Sequence, residues 1–125
     1  MIGEVILADT SVWIGHFRST DPELVALLNG GRVVMHPFIL GELALGNFVS
    51  RAAVLADLAA LPMVVVAMAD EVMRFIETER LFGAGVGYVD AHLLAAVRLT
   101  PGVRLWTRDR RLGVVAERFR FNANS

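Results

Sequence analysis

The sequence predicts an α/β fold in which helices flank a largely parallel central sheet. Short apolar segments rich in β-branched residues alternate with helical patterns along the whole chain. With 55% hydrophobic residues, the 125-residue chain can bury one substantial core. No internal repeat or low-complexity segment interrupts the alternation. We therefore expect a single α/β domain spanning residues 1–125.

Local composition sets the expected strands and helices. Buried apolar runs predict strands at 4–8, 33–35, 63–67 and 103–106, and the FRF segment at 119–121 is predicted as a final short strand. Helix boundaries follow from capping residues, prolines and glycines such as Asp21-Pro22, Gly30-Gly31 and Ser50. The expected helices cover 11–17, 22–29, 37–46, 51–61, 70–82, 89–99 and a stretch from 110.

Composition also excludes several kinds of chemistry. All twelve basic residues are arginine and cysteine is absent, so lysine-based and thiol-based catalysis are ruled out. No apolar run is long enough to span a membrane and no signal peptide is apparent, which predicts a cytoplasmic protein without membrane contact. A mean hydropathy of +0.55 is high for an isolated domain and indicates an oligomer or partner interface.

Charge is distributed unevenly along the chain. Residues 1–97 carry 5 arginines and 11 acids, a balance of −6, whereas residues 98–125 carry 7 arginines and 2 acids, a balance of +5. This basic segment either meets a polyanion or forms a solvated surface with no ligand.

Two aspartates follow predicted strands directly, Asp9 after the first and Asp109 after the strand at 103–106. Since open parallel sheets bind ligands outside the carboxyl ends of their strands, both aspartates are candidate site residues. Each has an ordinary alternative role as the cap of the helix that follows it.

Two further acids, Glu42 and Asp90, belong to predicted helices with apolar surroundings. The shared i, i+4, i+7 spacing places each acid on an apolar face: Phe38, Glu42 and Leu45 in one helix, and Asp90, Leu94 and Val97 in the other. We expect these faces to be closed to open solvent, where an unpaired carboxylate is costly. An ion pair with arginine or coordination of a divalent cation would each offset the cost of such a carboxylate.

An all-oxygen ligand set without cysteine favours Mg²⁺ or Mn²⁺ over zinc. His16, His36 and His92 form no ligand-pair spacing and are expected to be surface or locally hydrogen-bonded residues. Acidic clusters that hold such cations beside a basic surface are typical of phosphodiester cleavage. We therefore expect the four carboxyl groups to converge within roughly 4 to 8 Å of one another, the span that bridging metals tolerate.

Four motifs together resemble the PIN-domain ribonucleases of the VapC toxin type: DTSVWI, GELALG, GVGYVDAHLLAA and WTRDRRL. Their order and spacing extend over essentially the whole chain. The resemblance implies a three-layer PIN-like sandwich and a metal site formed by Asp9, Glu42, Asp90 and Asp109. It also implies that Ser11 and Thr107 support this site. One departure is Arg110, which stands where the family frequently has lysine after the T-x-D turn.

The same resemblance implies Mg²⁺- or Mn²⁺-dependent endoribonuclease activity, homodimerisation, and a hetero-oligomer with a small antitoxin that inserts a segment into or beside the active site. Because they flank Asp109 in the basic segment, Arg108, Arg110 and Arg111 are expected to guide the RNA backbone. Pairing with acids of the chain is their alternative role.

Two other functions remain open at the level of sequence. A haloacid-dehalogenase-like phosphatase also has an aspartate after its first strand, but its chemistry uses D-x-D and position 11 is serine. A non-catalytic RNA-binding or scaffold module of the same fold is the second alternative. The loss of one or more acids would indicate such a module, and all four are present.

Overall fold

The computed structural model describes residues 4–123. Its centre is a three-stranded parallel sheet of β1 (Val5–Ala8), β2 (Val33–Val34) and β3 (Val103–Trp106), in the order β2-β1-β3. Seven helices surround it in the described part of the chain: α1 (Thr10–Arg18), α2 (Pro22–Asn29), α3 (Pro37–Ala44), α4 (Arg51–Ala59), α5 (Ala69–Thr78), α6 (Tyr88–Leu99) and α7 (Arg110–Arg118). This arrangement confirms the predicted α/β class with a parallel sheet flanked by helices.

The middle strand forms the centre of the core. Ile6, Leu7 and Ala8 are fully buried, although consecutive strand residues point to opposite faces of the sheet. Both faces are therefore covered, as expected for a parallel sheet between helices. The register pairs Ala8 with Trp106 at the carboxyl ends of β1 and β3. The residues that follow these two strands consequently lie at the same edge of the sheet.

The predicted strand at 63–67 is wrong. Met63 forms a single parallel bridge to Met35, and the pairing ends with the Val64 N–H, which donates to the Met35 carbonyl oxygen at 3.0 Å. The backbone N–H of Val65 donates instead to the Thr100 hydroxyl at 2.9 Å, and Val65 is 50% exposed. Apolar β-branched composition favours a strand, but a strand also needs a neighbour with free backbone groups along its length.

The predicted strand at 119–121 is also wrong. Arg120 has a φ of 59°, which an extended strand does not allow, and the only pairing in this region of the described chain is a bridge from Asn122 to Leu105. Ser50 precedes α4 as expected, but it adopts a left-handed conformation and its side chain makes no capping hydrogen bond. The helix predicted to reach 82 ends at Thr78, before Arg80 turns the chain with a φ of 53°.

Within residues 4–123, no helix is long and apolar enough to cross a membrane. The longest of them, α6, has 12 residues and is buried along most of its length. Its burial against the core, rather than contact with lipid, explains its apolar composition.

Candidate functional site

Asp9 lies at the carboxyl end of β1 and caps α1. Its side chain is only 5% exposed, and it accepts hydrogen bonds from the Ser11 and Thr107 hydroxyls, each at 2.5 Å, and from the Val12 N–H at 3.3 Å. Burial raises the pKa of Asp9 above its ordinary value, while the hydrogen bonds act in the opposite direction. The carboxylate is thus held in one orientation in a place where its charge is costly.

Ser11 and Thr107 join the segments after β1 and β3. Their hydroxyl oxygens are 3.4 Å apart, the Arg108 N–H donates to Ser11 Oγ at 2.9 Å, and the Asp109 N–H donates to Thr107 Oγ1 at 2.9 Å. The same two hydroxyls donate to Asp9. The network therefore fixes the position of Asp9 relative to the turn that carries Asp109.

The capping role that the sequence left open is real for Asp9 and Asp109, and Asp90 makes a similar hydrogen bond that was not predicted. Asp9 and Asp109 cap α1 and α7, the latter through a 3.1 Å hydrogen bond from the Leu112 N–H. Asp90, in the first turn of α6, accepts from the Gly87 N–H at 3.0 Å. For Asp90 and Asp109 the capping bond uses one carboxylate oxygen. The second oxygen of each is not committed to the local backbone.

The fourth acid, Glu42, is carried by a different helix from Asp90. It lies in α3, and the Thr10 hydroxyl donates to its Oε1 at 2.7 Å. Thr10 is not among the predicted site residues, although its place in the D-T-S motif beside Asp9 was a usable signal. Glu42 is close to the C-terminal end of α3, where the helix dipole disfavours a negative charge. Helix stability therefore does not account for a glutamate at this position.

The expected closed face around Glu42 is a wrong prediction. Glu42 is exposed, Phe38 is partly exposed, and Leu45 is 90% exposed. The core instead takes the neighbouring face of α3 through Ile39 and Leu43, which have i, i+4 spacing of their own. An apolar helix permits either face to pack, and the surrounding fold selects one.

Asp9, Glu42, Asp90 and Asp109 form the acidic group, and the charges of the other three members act on Asp90. Its pKa is raised by burial first, and then by the negative charges of Asp109, Asp9 and Glu42. The hydrogen bond from Gly87 acts in the opposite direction. Residues that are distant in sequence, after β1, in α3, in α6 and after β3, therefore create one region of negative potential at the carboxyl edge of the sheet.

Within residues 4–123, none of these acids forms an ion pair with an arginine. The ion pairs in the described part of the chain join Arg98 to Glu79 and Arg108 to Asp21, and neither includes a member of the acidic group. Arg108 thus pairs with an acid of the chain, which was its alternative role, because its guanidinium donates to the buried Asp21. Arg110 and Arg111 are exposed and take part in neither ion pair.

The compact ligand cluster expected from the sequence needs correction. No three acidic or histidine side chains among residues 4–123 lie close enough together to form a finished metal-binding group. The donor set nevertheless fits a hard divalent cation, since its ligands are oxygens and a cation would relieve the repulsion that raises the pKa of Asp90.

Two histidines form a buried aromatic group that was not predicted. The expected local hydrogen bond is present at His36, but His92 is neither exposed nor hydrogen-bonded through its side chain within residues 4–123, so that prediction is wrong for His92. His36 and His92 are fully or almost fully buried, and their rings are 6.4 Å apart between centroids. Phe38 and Tyr88 pack against the His92 ring, each at 4.6 Å. Burial lowers the pKa of His36 to about 4, with the charge of His92 as a smaller cause. The histidine before Pro37 was a usable signal, because His36 caps α3.

Known proteins of similar sequence indicate the family of this chain. The sequence matches the PIN domain family over residues 6–118. It is 50% identical over 108 residues to Ribonuclease VapC32 of Mycobacterium tuberculosis, from strain CDC 1551 / Oshkosh and from strain ATCC 25618 / H37Rv. The aligned region covers 86% of this chain and 87% of each relative.

Proposed function

We propose, from the premise that this chain belongs to the PIN domain family, that it is a Mg²⁺- or Mn²⁺-dependent endoribonuclease and the toxin of a toxin–antitoxin pair. The observation that carries this proposal is the group of four carboxylates, without an arginine partner, at the carboxyl edge of the sheet. Similarity to a ribonuclease over 86% of the chain supports RNA as the substrate. Action in the cytoplasm stays a prediction of the sequence.

Asp9, Glu42, Asp90 and Asp109 would hold the metal. A bound divalent cation supplies activation of water and neutralisation of charge that grows on the phosphate oxygens. Ser11 and Thr107 act as positioning residues, because their hydroxyls hold the Asp9 carboxylate by two short hydrogen bonds. Asp9 therefore does not need to reorient when substrate arrives, which is the preorganisation that efficient catalysis requires.

The arginines around Asp109 would bring the RNA backbone to this acidic group. The balance of +5 in residues 98–125 offsets the repulsion between a polyanion and four carboxylates. Arg110 and Arg111 are the stronger candidates for phosphate contact, because Asp21 already engages Arg108. Arg108 retains a place in the proposed surface because half of its side chain is exposed.

The direct test is incubation of the protein with total RNA in Mg²⁺ or Mn²⁺, followed by mapping of the new 5′ ends. We expect discrete cleavage sites that disappear in EDTA and return when the cation is restored in excess. Undiminished cleavage in EDTA would contradict the metal-dependent mechanism.

An apolar groove beside Glu42 is the proposed binding surface for the antitoxin. It has a volume of about 420 Å³ and includes Phe17 and Phe48, whose rings stack at 4.5 Å between centroids. Val49 at its margin is 89% exposed. A segment that fills this groove would contact Glu42, which lines the groove, and would obstruct access to the acidic group. This continuity supports inhibition by an inserted antitoxin segment.

We expect Val49→Asp to weaken the complex with the cognate antitoxin by at least about tenfold, because a charge is unfavourable in an apolar interface. RNA cleavage by the free protein should not change. Leu45→Asp is a matched control, since Leu45 is equally exposed but does not line the groove. Titration calorimetry gives both affinities, and equal effects of the two substitutions would place the antitoxin on another surface.

Exposed apolar residues support a homodimer. Several cluster in sequence within the segment between α4 and α5 or just beyond it: Met63, Val65, Val66, Met68 and Met73. Such a concentration of apolar surface is typical of association sites. We expect a dimer by light scattering at tens of micromolar protein, whereas a monomer throughout that range would contradict the proposal.

A further inference from the structure

Gly85, in the connection between α5 and α6, lies under the side chain of Arg111. A Cβ atom at Gly85 would be 2.7 Å from Arg111 Cδ, 3.3 Å from Nε and 3.4 Å from Nη1. Contacts below 3.0 Å are not tolerated without movement of one partner. The backbone also has a φ of 81°, which favours glycine. The absence of a side chain at position 85 is therefore what allows Arg111 to lie across this segment.

Arg111 occupies an unfavourable place in its own helix. Arg110 and Arg111 are the first two residues of α7, whose first turn contains no acidic residue. The N-terminal end of a helix carries a partial positive charge and disfavours cations. Helix stability therefore does not explain the two arginines.

Several other arginines of the basic segment have partners. Arg98 and Arg108 pair with Glu79 and Asp21, respectively, and Arg118 donates to the Glu79 carbonyl oxygen at 2.6 Å. Within residues 4–123, Arg111 has no carboxylate within ion-pair distance. Its guanidinium is held by the packing of its alkyl chain on Gly85, and its hydrogen-bonding groups are left for another ligand.

The position of this contact relates it to the acidic group. Arg111 is two residues after Asp109, and Gly85 is two residues before Gly87, whose N–H donates to Asp90. The contact thus joins the two segments that carry Asp90 and Asp109. A guanidinium at this junction offers a planar pair of donors to a phosphate that approaches the acids.

We propose that Gly85 is a positioning residue that holds Arg111 to bind an RNA phosphate next to the one that is cleaved. This inference rests on the proposed ribonuclease function. It assigns Arg111 a fixed phosphate contact, and it explains the glycine at position 85 by that contact rather than by flexibility of the connection alone.

Gly83 provides a matched control for Gly85. Its φ of 75° is almost the same, but an added Cβ would meet no atom within 4 Å. Gly83→Ala and Gly85→Ala therefore impose similar backbone strain, and only Gly85→Ala displaces Arg111. If the alanine variants do not fold, the pair Gly83→Asn and Gly85→Asn repeats the comparison, because asparagine tolerates positive φ better.

The experiment measures binding of a single-stranded RNA oligonucleotide at several salt concentrations, with EDTA present so that the RNA stays intact. We expect Gly85→Ala and Arg111→Ala each to flatten the slope of log affinity against log salt by about 0.7, the value for one lost phosphate contact. Gly83→Ala should keep the wild-type slope. Adding Gly85→Ala to Arg111→Ala should flatten the slope no further.

A wild-type slope in folded Gly85→Ala or Gly85→Asn, or equal flattening by the Gly83 substitution, would overturn the inference. Cleavage of RNA by the wild-type protein in Mg²⁺ or Mn²⁺ is measured in parallel. If the wild type cleaves RNA while the Gly85 variants keep its slope, only the role of Gly85 fails. If the wild type neither cleaves nor binds RNA, the proposed function fails with it.

Discussion

Asp9→Asn should abolish metal-dependent RNA cleavage while the protein remains folded. Loss of residues that merely orient metal ligands costs about 10- to 100-fold in activity, so loss of a ligand charge should exceed a hundredfold. The asparagine can still accept the Val12 N–H and one of the two hydroxyls that contact Asp9. Removal of a buried charge also offsets the cost of the lost hydrogen bond.

Asp21→Asn is the control for this prediction. Asp21 is also a buried aspartate that caps a helix, but it pairs with Arg108 and does not belong to the acidic group. We expect this variant to lose stability and to retain cleavage within severalfold of the wild type. Cleavage rates and thermal unfolding of both variants are the measurements. Wild-type activity in Asp9→Asn would remove Asp9 from the proposed site.

His36 should make the folded protein less stable in acid. His36 Nδ1 accepts the Phe38 N–H at 2.9 Å, and its Nε2 is buried without a hydrogen-bond partner in the described residues. Protonation would remove the capping bond and place a charge in the core. This geometry agrees with a pKa lowered from 6.5 to about 4.

The direction of the change in the free energy of unfolding follows from proton uptake. Between pH 6.5 and about 4 the unfolded chain binds a proton at position 36 and the folded chain does not, so acidification favours unfolding. We expect the contribution of His36 to the free energy of unfolding to fall by about 1.4 kcal/mol for each pH unit in this window. It should be fully present above pH 6.5 and reach its lowest value below pH 4.

His36→Asn isolates this contribution, because asparagine also caps helices and does not titrate. Asp9 and Asp90 have raised pKa values and stabilise the folded chain as pH falls, so the difference between wild type and variant is the relevant quantity. Urea unfolding at several pH values gives this difference. A difference that stays constant from pH 7 to pH 4 would contradict the assignment of the buried neutral histidine.

The wrong strand prediction at 63–67 and the unpredicted histidine pair have a common cause. Both depend on contacts between residues far apart in sequence. Met63 reaches Met35, but Val65 finds the Thr100 hydroxyl rather than a strand edge. His36 and His92 meet only because α3 and α6 pack around the same site. No local pattern distinguishes these outcomes from their alternatives.

The sequence by itself determined the α/β alternation and the aspartates that follow two of the strands, and it predicts that Asp9, Glu42, Asp90 and Asp109 act as one site. These features depend on local signals: β-branched runs form strands, Asp21-Pro22 and Pro37 begin helices, and parallel strands end at one edge of the sheet. Motif spacing added Glu42 and Asp90. Each of these signals is complete within a few residues of the chain.

The tertiary structure alone decided which polar groups have partners. Arg108 pairs with Asp21, Thr10 holds Glu42, and Arg111 packs on Gly85. The face of α3 that carries Glu42 is open, because the core selected the adjacent apolar face. Charge, burial and hydrogen bonding depend on distances in space, so residues of identical type take different roles according to the neighbours that folding brings to them.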